Sequence, residues 1–174
     1  MAVRERISAP PRAAPQQLTI TVGVHGVEGG DLHAGGSFAA DGALEGGGAL
    51  TVADVARFQE FGVSPFQLKS GAVHPGIPQR SFIRAWFDES QDFIRETLRS
   101  QMTQVVAGKL TAEKAGARIA LAFEGSVKQR IARGIPPPNA PSTIRAKGSS
   151  KPLINRGQLR NAIRSRSKLT TREE

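Results

Sequence analysis

The sequence predicts an α+β fold: a small antiparallel β-sheet packed against two long amphipathic helices, with long extended loops. Three observations carry this. Leu18, Ile20, Val22 and Val24 alternate strictly with polar or small residues, the period of a half-buried strand. Apolar residues recur at three- and four-residue steps from Phe82 to Val106 and again from Ala115 to Ile131, the period of a helix with one buried face. Between and beyond these stretches lie most of the 19 glycines and 11 prolines, which punctuate loops and turns.

Composition bounds the rest. In 174 residues, 39% apolar and 5% aromatic content supports one modest core and leaves too little for two. No run of about 18 apolar residues marks a membrane span. Residues 1–12 are polar and basic with no apolar stretch behind them, so no secretory signal is expected. With no cysteine there is no disulfide framework and no thiolate ligand or nucleophile.

Taken in order, Met1 to Gln17 read as a disordered leader, since Pro10, Pro11 and Pro15 deny it a regular ladder. The strand at 18–24 follows. From Val27 to Gly48 the chain turns to Gly, Ala, Asp and Glu, with eight glycines between Gly29 and Gly48, and reads as a long flexible loop. No lysine follows Gly46-Gly47-Gly48 and no Gly-x-Gly-x-x-Gly opens the next helix, so nucleotide binding is not expected.

Thr51 is placed to cap a short helix, with Asp54 favoured at its third position. Val52, Val55, Ala56 and Gln59 form its stripe, and Gly62 stops it. Val63 to Pro78 reads as a second loop, and His74, without partners at ligand spacing, as a loop histidine.

The stripe Phe82, Ile83, Trp86, Phe87, Phe93, Ile94, Leu98, Met102, Val105 and Val106 predicts an amphipathic helix ending before Gly108. Ser90 offers a second start inside it, which leaves Phe82 to Phe87 as helix, strand or bend. Trp86 and Phe87 are expected to be buried together. Thr111 caps the next helix, whose core positions are Ala115, Ile119, Phe123, Val127 and Ile131, and Gly134 closes it. Pro136-Pro137-Pro138 is extended, and Pro141 to Ile154 has no periodicity. Gly157 to Ile163 forms a helical turn with Leu159 and Ile163 one turn apart, and Arg164 to Glu174 is a charged tail or a short edge strand. The expected organisation is therefore a leader over 1–17, one α+β domain over 18–164, and a charged tail over 165–174.

Charge is divided sharply along the chain. Residues 1–125 hold 12 Lys and Arg against 13 acids, whereas residues 126–174 hold 12 against 2. So dense a basic third points to a polyanionic partner, a nucleic acid or an acidic protein surface. Arg156, Arg160 and Arg164 share one helical face that would touch phosphates without reading bases. The motifs of sequence-specific DNA and RNA binding are missing.

Catalytic chemistry finds little footing. No serine sits in a Gly-x-Ser-x-Gly elbow, and His25, His33 and His74 are scattered. Asp88, Glu89, Asp92 and Glu96 cluster at a helix start, where the dipole and solvent account for them. The expectation is a protein that is not an enzyme, with no catalytic, metal or cofactor-binding residues and no cofactor.

A set of short motifs recurs in a fixed order: Glu60-Phe61-Gly62; Ile77-Pro78-Gln79-Arg80-Ser81-Phe82-Ile83-Arg84; two helices; Pro141-Ser142-Thr143-Ile144; Lys147-Gly148-Ser149-Ser150-Lys151-Pro152-Leu153-Ile154; and Gly157-Gln158-Leu159. This series resembles the tailed-bacteriophage virion-morphogenesis proteins, the tail-completion or head–tail joining (neck) family, over roughly residues 18–164. Ser81 stands where that family commonly has a second proline, and Asn155-Arg156 where it has Asp-Thr or Asp-Ser. The family also often continues into a strand or two after the last motif.

The resemblance implies a structural virion protein, assembled in the host bacterial cytoplasm, that forms a homo-oligomeric ring, a hexamer or dodecamer, at the neck or tail top. Its implied partners are the adjacent head-connector and tail-tube or terminator proteins, with transient contact to genomic DNA in the channel and no membrane. Assembly contacts are implied at Lys147, Gly148, Lys151, Pro152, Leu153, Arg156, Gly157, Leu159 and Arg160. The alternative reading is a basic, non-specific nucleic-acid-binding protein.

Overall fold

The alternating run at Leu18 to Val24 is part of a nine-residue strand, β1 (Gln16–Val24), in a computed structural model that describes residues 16–25, 50–68 and 70–171. The expected flexible loop at 27–48 lies outside the described residues, as does most of the expected leader; Gln16 and Gln17 belong to the strand. Then come α1 (Val52–Phe61), β2 (Phe66–Gln67), β3 (Val73–His74), α2 (Arg84–Glu89), α3 (Gln91–Val106), α4 (Ala112–Arg133), α5 (Pro141–Lys147), α6 (Gln158–Ala162) and β4 (Ile163–Thr171). This is an α+β fold in which two small antiparallel two-stranded sheets accompany the long helices α3 and α4.

β1 pairs with β4 along its whole length, from Gln16 opposite Thr171 to Val24 opposite Ile163. Of the two readings for Arg164 to Glu174, the strand is the one formed as far as Thr171, and residues 172–174 lie outside the described residues. Leu18, Ile20, Val22 and Val24 lie on one face and pack on the core, as their alternation predicts. Helix α4 crosses that face at Gly116. A Cβ built there would stand 2.7 Å from Leu18 Cδ1 and 3.2 Å from Ser167 Cβ, so the missing side chain lets helix and ribbon approach closely.

Helix α4 supplies the centre of the core. Ala115, Ile119, Phe123, Val127 and Ile131 are all buried, matching the four-residue step, and Gly116 and Ala120 join them. Thr111 Oγ1 accepts the Lys114 N–H at its start, and Gly134 follows its end with φ 93°. Phe82, Trp86, Val52, Leu159 and Ile163 pack around it.

The stretch 82–106 is two helices, not one. Ser90, at φ −105° and ψ 19°, interrupts the ladder between α2 and α3 and changes which residues face inward. Trp86 is buried, set edge-on to Phe123 at 5.6 Å, and its indole N–H reaches Ser126 Oγ at 2.9 Å. Phe87 is not: it is 54% exposed, and Val106 is 89% exposed. Ile94, Leu98 and Met102 of α3 pack against the core and Phe93, though 40% exposed, tilts onto Phe123 at 6.1 Å, which narrows the stripe read from the sequence.

Two further corrections concern short elements. The expected loop at 63–78 contains the hairpin β2–β3 and a bridge between Val63 and Ile77. His74 is therefore a strand residue, stacked on Phe66 at 4.8 Å and accepting the Gly76 N–H at Nδ1. The aperiodic stretch from Pro141 holds α5, with Pro141 in its first turn and Gly148 in the left-handed conformation at its end. One seven-residue helix is too short to show a period.

Candidate functional site

The interhelical motifs singled out in the sequence converge in space, beginning with Glu60. Its carboxylate, at the last turn of α1, is buried, and it accepts four hydrogen bonds from the start of α2. Ser81 Oγ donates at 2.6 Å and the Arg84 N–H at 3.1 Å to Oε1, while the N–H groups of Phe82 and Ile83 donate to Oε2 at 2.8 and 3.1 Å. The first backbone N–H groups of a helix lack intrahelical partners, and here a distant carboxylate supplies them. Burial alone would raise this carboxyl; the Ser81 hydroxyl and the N–H groups of Ile83, Arg84 and Phe82 outweigh it and lower the pKa. Gln79 Nε2 donates back to Glu60 O at 3.0 Å, which locks the first two motifs together.

Arg80 ties these motifs to the triple proline. Its side chain is buried, and its guanidinium donates to Pro137 O at 2.9 Å, Pro138 O at 3.0 Å and Gln59 Oε1 at 3.2 Å. Asn139 Nδ2 then donates to Ser150 O at 3.1 Å, joining the proline stretch to the loop after α5. Within that loop Lys147 Nζ donates to Lys151 O at 2.6 Å and Ile154 O at 2.8 Å.

These contacts frame a groove of about 1230 Å³. One wall is α1 with Val55 and Gln59, another the 74–80 segment, and the far side is built from the prolines, α5 and the turn into α6. Its volume exceeds the several hundred Å³ common for small-molecule pockets.

Charge in the groove is of one sign. Arg80, Lys147 and Arg156 line it, and no Asp or Glu does. Burial lowers the Arg80 pKa; for Lys147, burial and then the nearby Arg80 charge do the same. Buried charges are ordinarily paired with an opposite charge. Ion pairs among the described residues join Arg95 to Asp92, Lys128 to Glu124 and Arg130 to Glu89, and neither Arg80 nor Lys147 takes part in one. Both cations are held by neutral oxygens alone.

Of the residues implied as assembly contacts, Lys147, Leu153, Arg156 and Leu159 line the groove. Gly148, Lys151, Pro152, Gly157 and Arg160 are outside its lining. Lys151, Arg156 and Arg160 are exposed; Leu159 is buried in its own core, and Lys147 is spent on its own carbonyls. Gly148 and Gly157, at φ 66° and 80°, shape the turns on either side, and Leu153 shares their left-handed backbone at φ 60°. Arg156 precedes α6 and Arg164 lies in β4, so the three arginines expected on one helical face are split among three kinds of backbone. Arg164 donates to Asn161 O and Ile163 O.

Arg80 and Asn139 carry the groove's cross-links, yet no periodicity marks either; only Arg80's place inside a quoted motif drew attention to it. Among the described residues no group of three or more His, Cys, Asp or Glu could hold a metal ion, and no helix is long and apolar enough to cross a membrane. Comparison with protein-family models, with curated proteins and with solved structures returns no match for this chain.

Proposed function

We propose that this chain is a non-enzymatic structural protein of a tailed-bacteriophage virion, a subunit of the ring that joins head to tail. One observation carries the reading. Glu60 joins the first of the resembling motifs to the second, and residues of the second and of the three motifs after the helices, far apart in sequence, line one groove. They act as parts of a single surface, as motifs of an assembly protein would. The basic final third gives that surface the charge to meet acidic neighbours in the head connector, tail tube or terminator. Electron microscopy of the particle tests the reading: a hexameric or dodecameric ring at the neck or tail top should accommodate this fold. A neck whose densities all reject it overturns the proposal.

A second reading, non-specific contact with nucleic acid, is favoured by the β1–β4 ribbon. Its outward face sets exposed Arg166 and Lys168 opposite Thr21 and Thr19. A two-stranded ribbon of this kind fits the major groove, and its cations would take phosphates. Duplex DNA binding that weakens steeply with salt supports it; no binding even at low salt removes it.

A further inference from the structure

Arg80 is a buried cation whose donors are not all used among the described residues. It is 7% exposed, and its three bonds, to Pro137 O, Pro138 O and Gln59 Oε1, engage Nε, Nη2 and Nη1 once each. A guanidinium carries five N–H donors, so one remains on each terminal nitrogen. Lys147 Nζ has three donors and gives two, to Lys151 O and Ile154 O. Both side chains line the same groove, and the Arg80 charge lies near enough to lower the Lys147 pKa. Arg156 adds a third, exposed cation to that lining, and no Asp or Glu among the described residues joins it.

The chemistry of a matching anion can be read from this set. Three N–H donors on two held cations suit an acceptor-only group with several oxygens. A carboxylate offers one negative charge and two oxygens, and leaves two of the three cations unbalanced. A phosphoryl group brings about −1.5 to −2 at pH 7 and three acceptor oxygens. The planar fork of an arginine matches phosphate geometry, and lysine serves it as a point charge. Ser142, Thr143 and Asn155, also in the lining, add polar groups without negative charge. At about 1230 Å³ the groove is far larger than one phosphate, which leaves room for whatever the phosphoryl group is attached to.

We infer that Arg80, Lys147 and Arg156 form a binding site for a phosphoryl group, free or esterified in a larger molecule. This goes beyond the ring reading and does not depend on it, since all three cations belong to one chain.

Calorimetric titration of the full chain with inorganic phosphate tests the site, at about pH 7.5, where phosphate is largely dianionic. Sodium chloride holds the ionic strength constant, so that screening is equal in every arm. Phosphate should bind at least about tenfold more tightly than acetate, which brings a single charge. Lys147→Gln should weaken phosphate binding about tenfold, the scale of a hydrogen bond from a charged donor. Arg156→Gln should weaken it about threefold, as expected of an exposed charge. Arg156 is exposed and makes none of the groove's cross-links, so its variant keeps the test open if Lys147→Gln fails to fold. Arg99→Gln removes an equal charge from an exposed position on α3 outside the groove, and should change affinity by less than about 1.5-fold. A short oligothymidylate without terminal phosphates distinguishes the source. If it displaces inorganic phosphate, the site takes a phosphodiester; if phosphate binds and the oligonucleotide does not, the site takes free phosphate or a monoester. No saturable binding of phosphate or oligonucleotide, acetate binding as tightly as phosphate, or equal losses from Arg99→Gln and Arg156→Gln overturns the inference. None of these results touches the ring reading, which the density of the neck decides.

Discussion

Glu60 Oε1 accepts a 2.6 Å hydrogen bond from the Ser81 hydroxyl, and through it the end of α1 holds the beginning of α2. The same carboxylate takes three backbone N–H groups from residues 82–84, so α1 and α2 cannot separate without leaving buried donors bare.

This relationship sets an acid-stability prediction. The folded pKa of Glu60 lies below its ordinary value of 4.5, so its contribution is fully present above that value and is lost as pH falls through the folded pKa. Glu60→Gln should destabilise the protein by about 2–3 kcal/mol at pH 7, the range for charged hydrogen bonds exchanged for neutral ones. The variant should also show a flatter loss of stability on acidification. Urea unfolding between neutral pH and pH 3 measures both. A variant and parent that differ by a constant amount at every pH would show that the carboxylate's charge is not what holds α2.

A second prediction separates two adjacent aromatics. Trp86 is buried against Phe123 and bonded to Ser126, whereas Phe87 is 54% exposed. Trp86→Ala should cost about 3–5 kcal/mol, and Phe87→Ala under about 1. Thermal or denaturant unfolding distinguishes them at once; equal losses would place Phe87 in an interface that the single chain does not show.

That contrast also marks how far the sequence could be read. The α4 stripe was legible because a 22-residue helix repeats its period many times, and every predicted position on it is buried. β1 was legible from strict alternation, and the first cap from Thr51 and Asp54, whose reciprocal bonds are formed at 3.0 and 3.2 Å. Phe87 misled because it sits beside Trp86 in a six-residue helix, too short for its period to show which of two adjacent aromatics faces inward, and the break at Ser90 separates it from the stripe of α3. The hairpin at Phe66 and His74, helix α5 and the role of Arg80 were out of reach for another reason. They are short or singular, leaving no repeat to count, and the role of Arg80 is decided by tertiary hydrogen bonds. For the groove, the motifs named its parts, but only folding brought Arg80 beside Lys147.

Gly116 offers a third prediction about how helix and ribbon meet. An alanine there would press on Leu18 Cδ1, the movable end of a side chain, and sit tightly against Ser167 Cβ at 3.2 Å, while gaining about 1 kcal/mol of helix propensity over glycine, so Gly116→Ala should be nearly neutral. Gly116→Val adds branches toward Ser167 as well as Leu18, and overpacking of this kind costs about 1–3 kcal/mol. Both variants are compared by denaturant midpoint. A valine variant as stable as the alanine one would mean that α4 lifts from the ribbon freely, and the close approach would then contribute nothing to the fold.

The last prediction concerns whether Arg80 acts by charge or by shape. Its three bonds diverge, to Pro137 O, Pro138 O and Gln59 Oε1, and a planar fork of donors reaches all three without distortion. A lysine keeps the charge but is a point donor on a flexible stem. Arg80→Lys should therefore leave at least one of these part-buried oxygens unbonded and cost about 1.5–3 kcal/mol, the range for hydrogen bonds from charged donors. Asn139 holds Ser150, so loosening the prolines should propagate into the loop after α5. Amide exchange should accelerate at Asn139 and Ala140 and from Gly148 to Ser150, while the interior of α4, from Ile119 to Ile131, keeps its protection. If charge alone mattered, Arg80→Lys would match the parent in both stability and exchange, and the groove's far wall would have to be held by something other than this side chain.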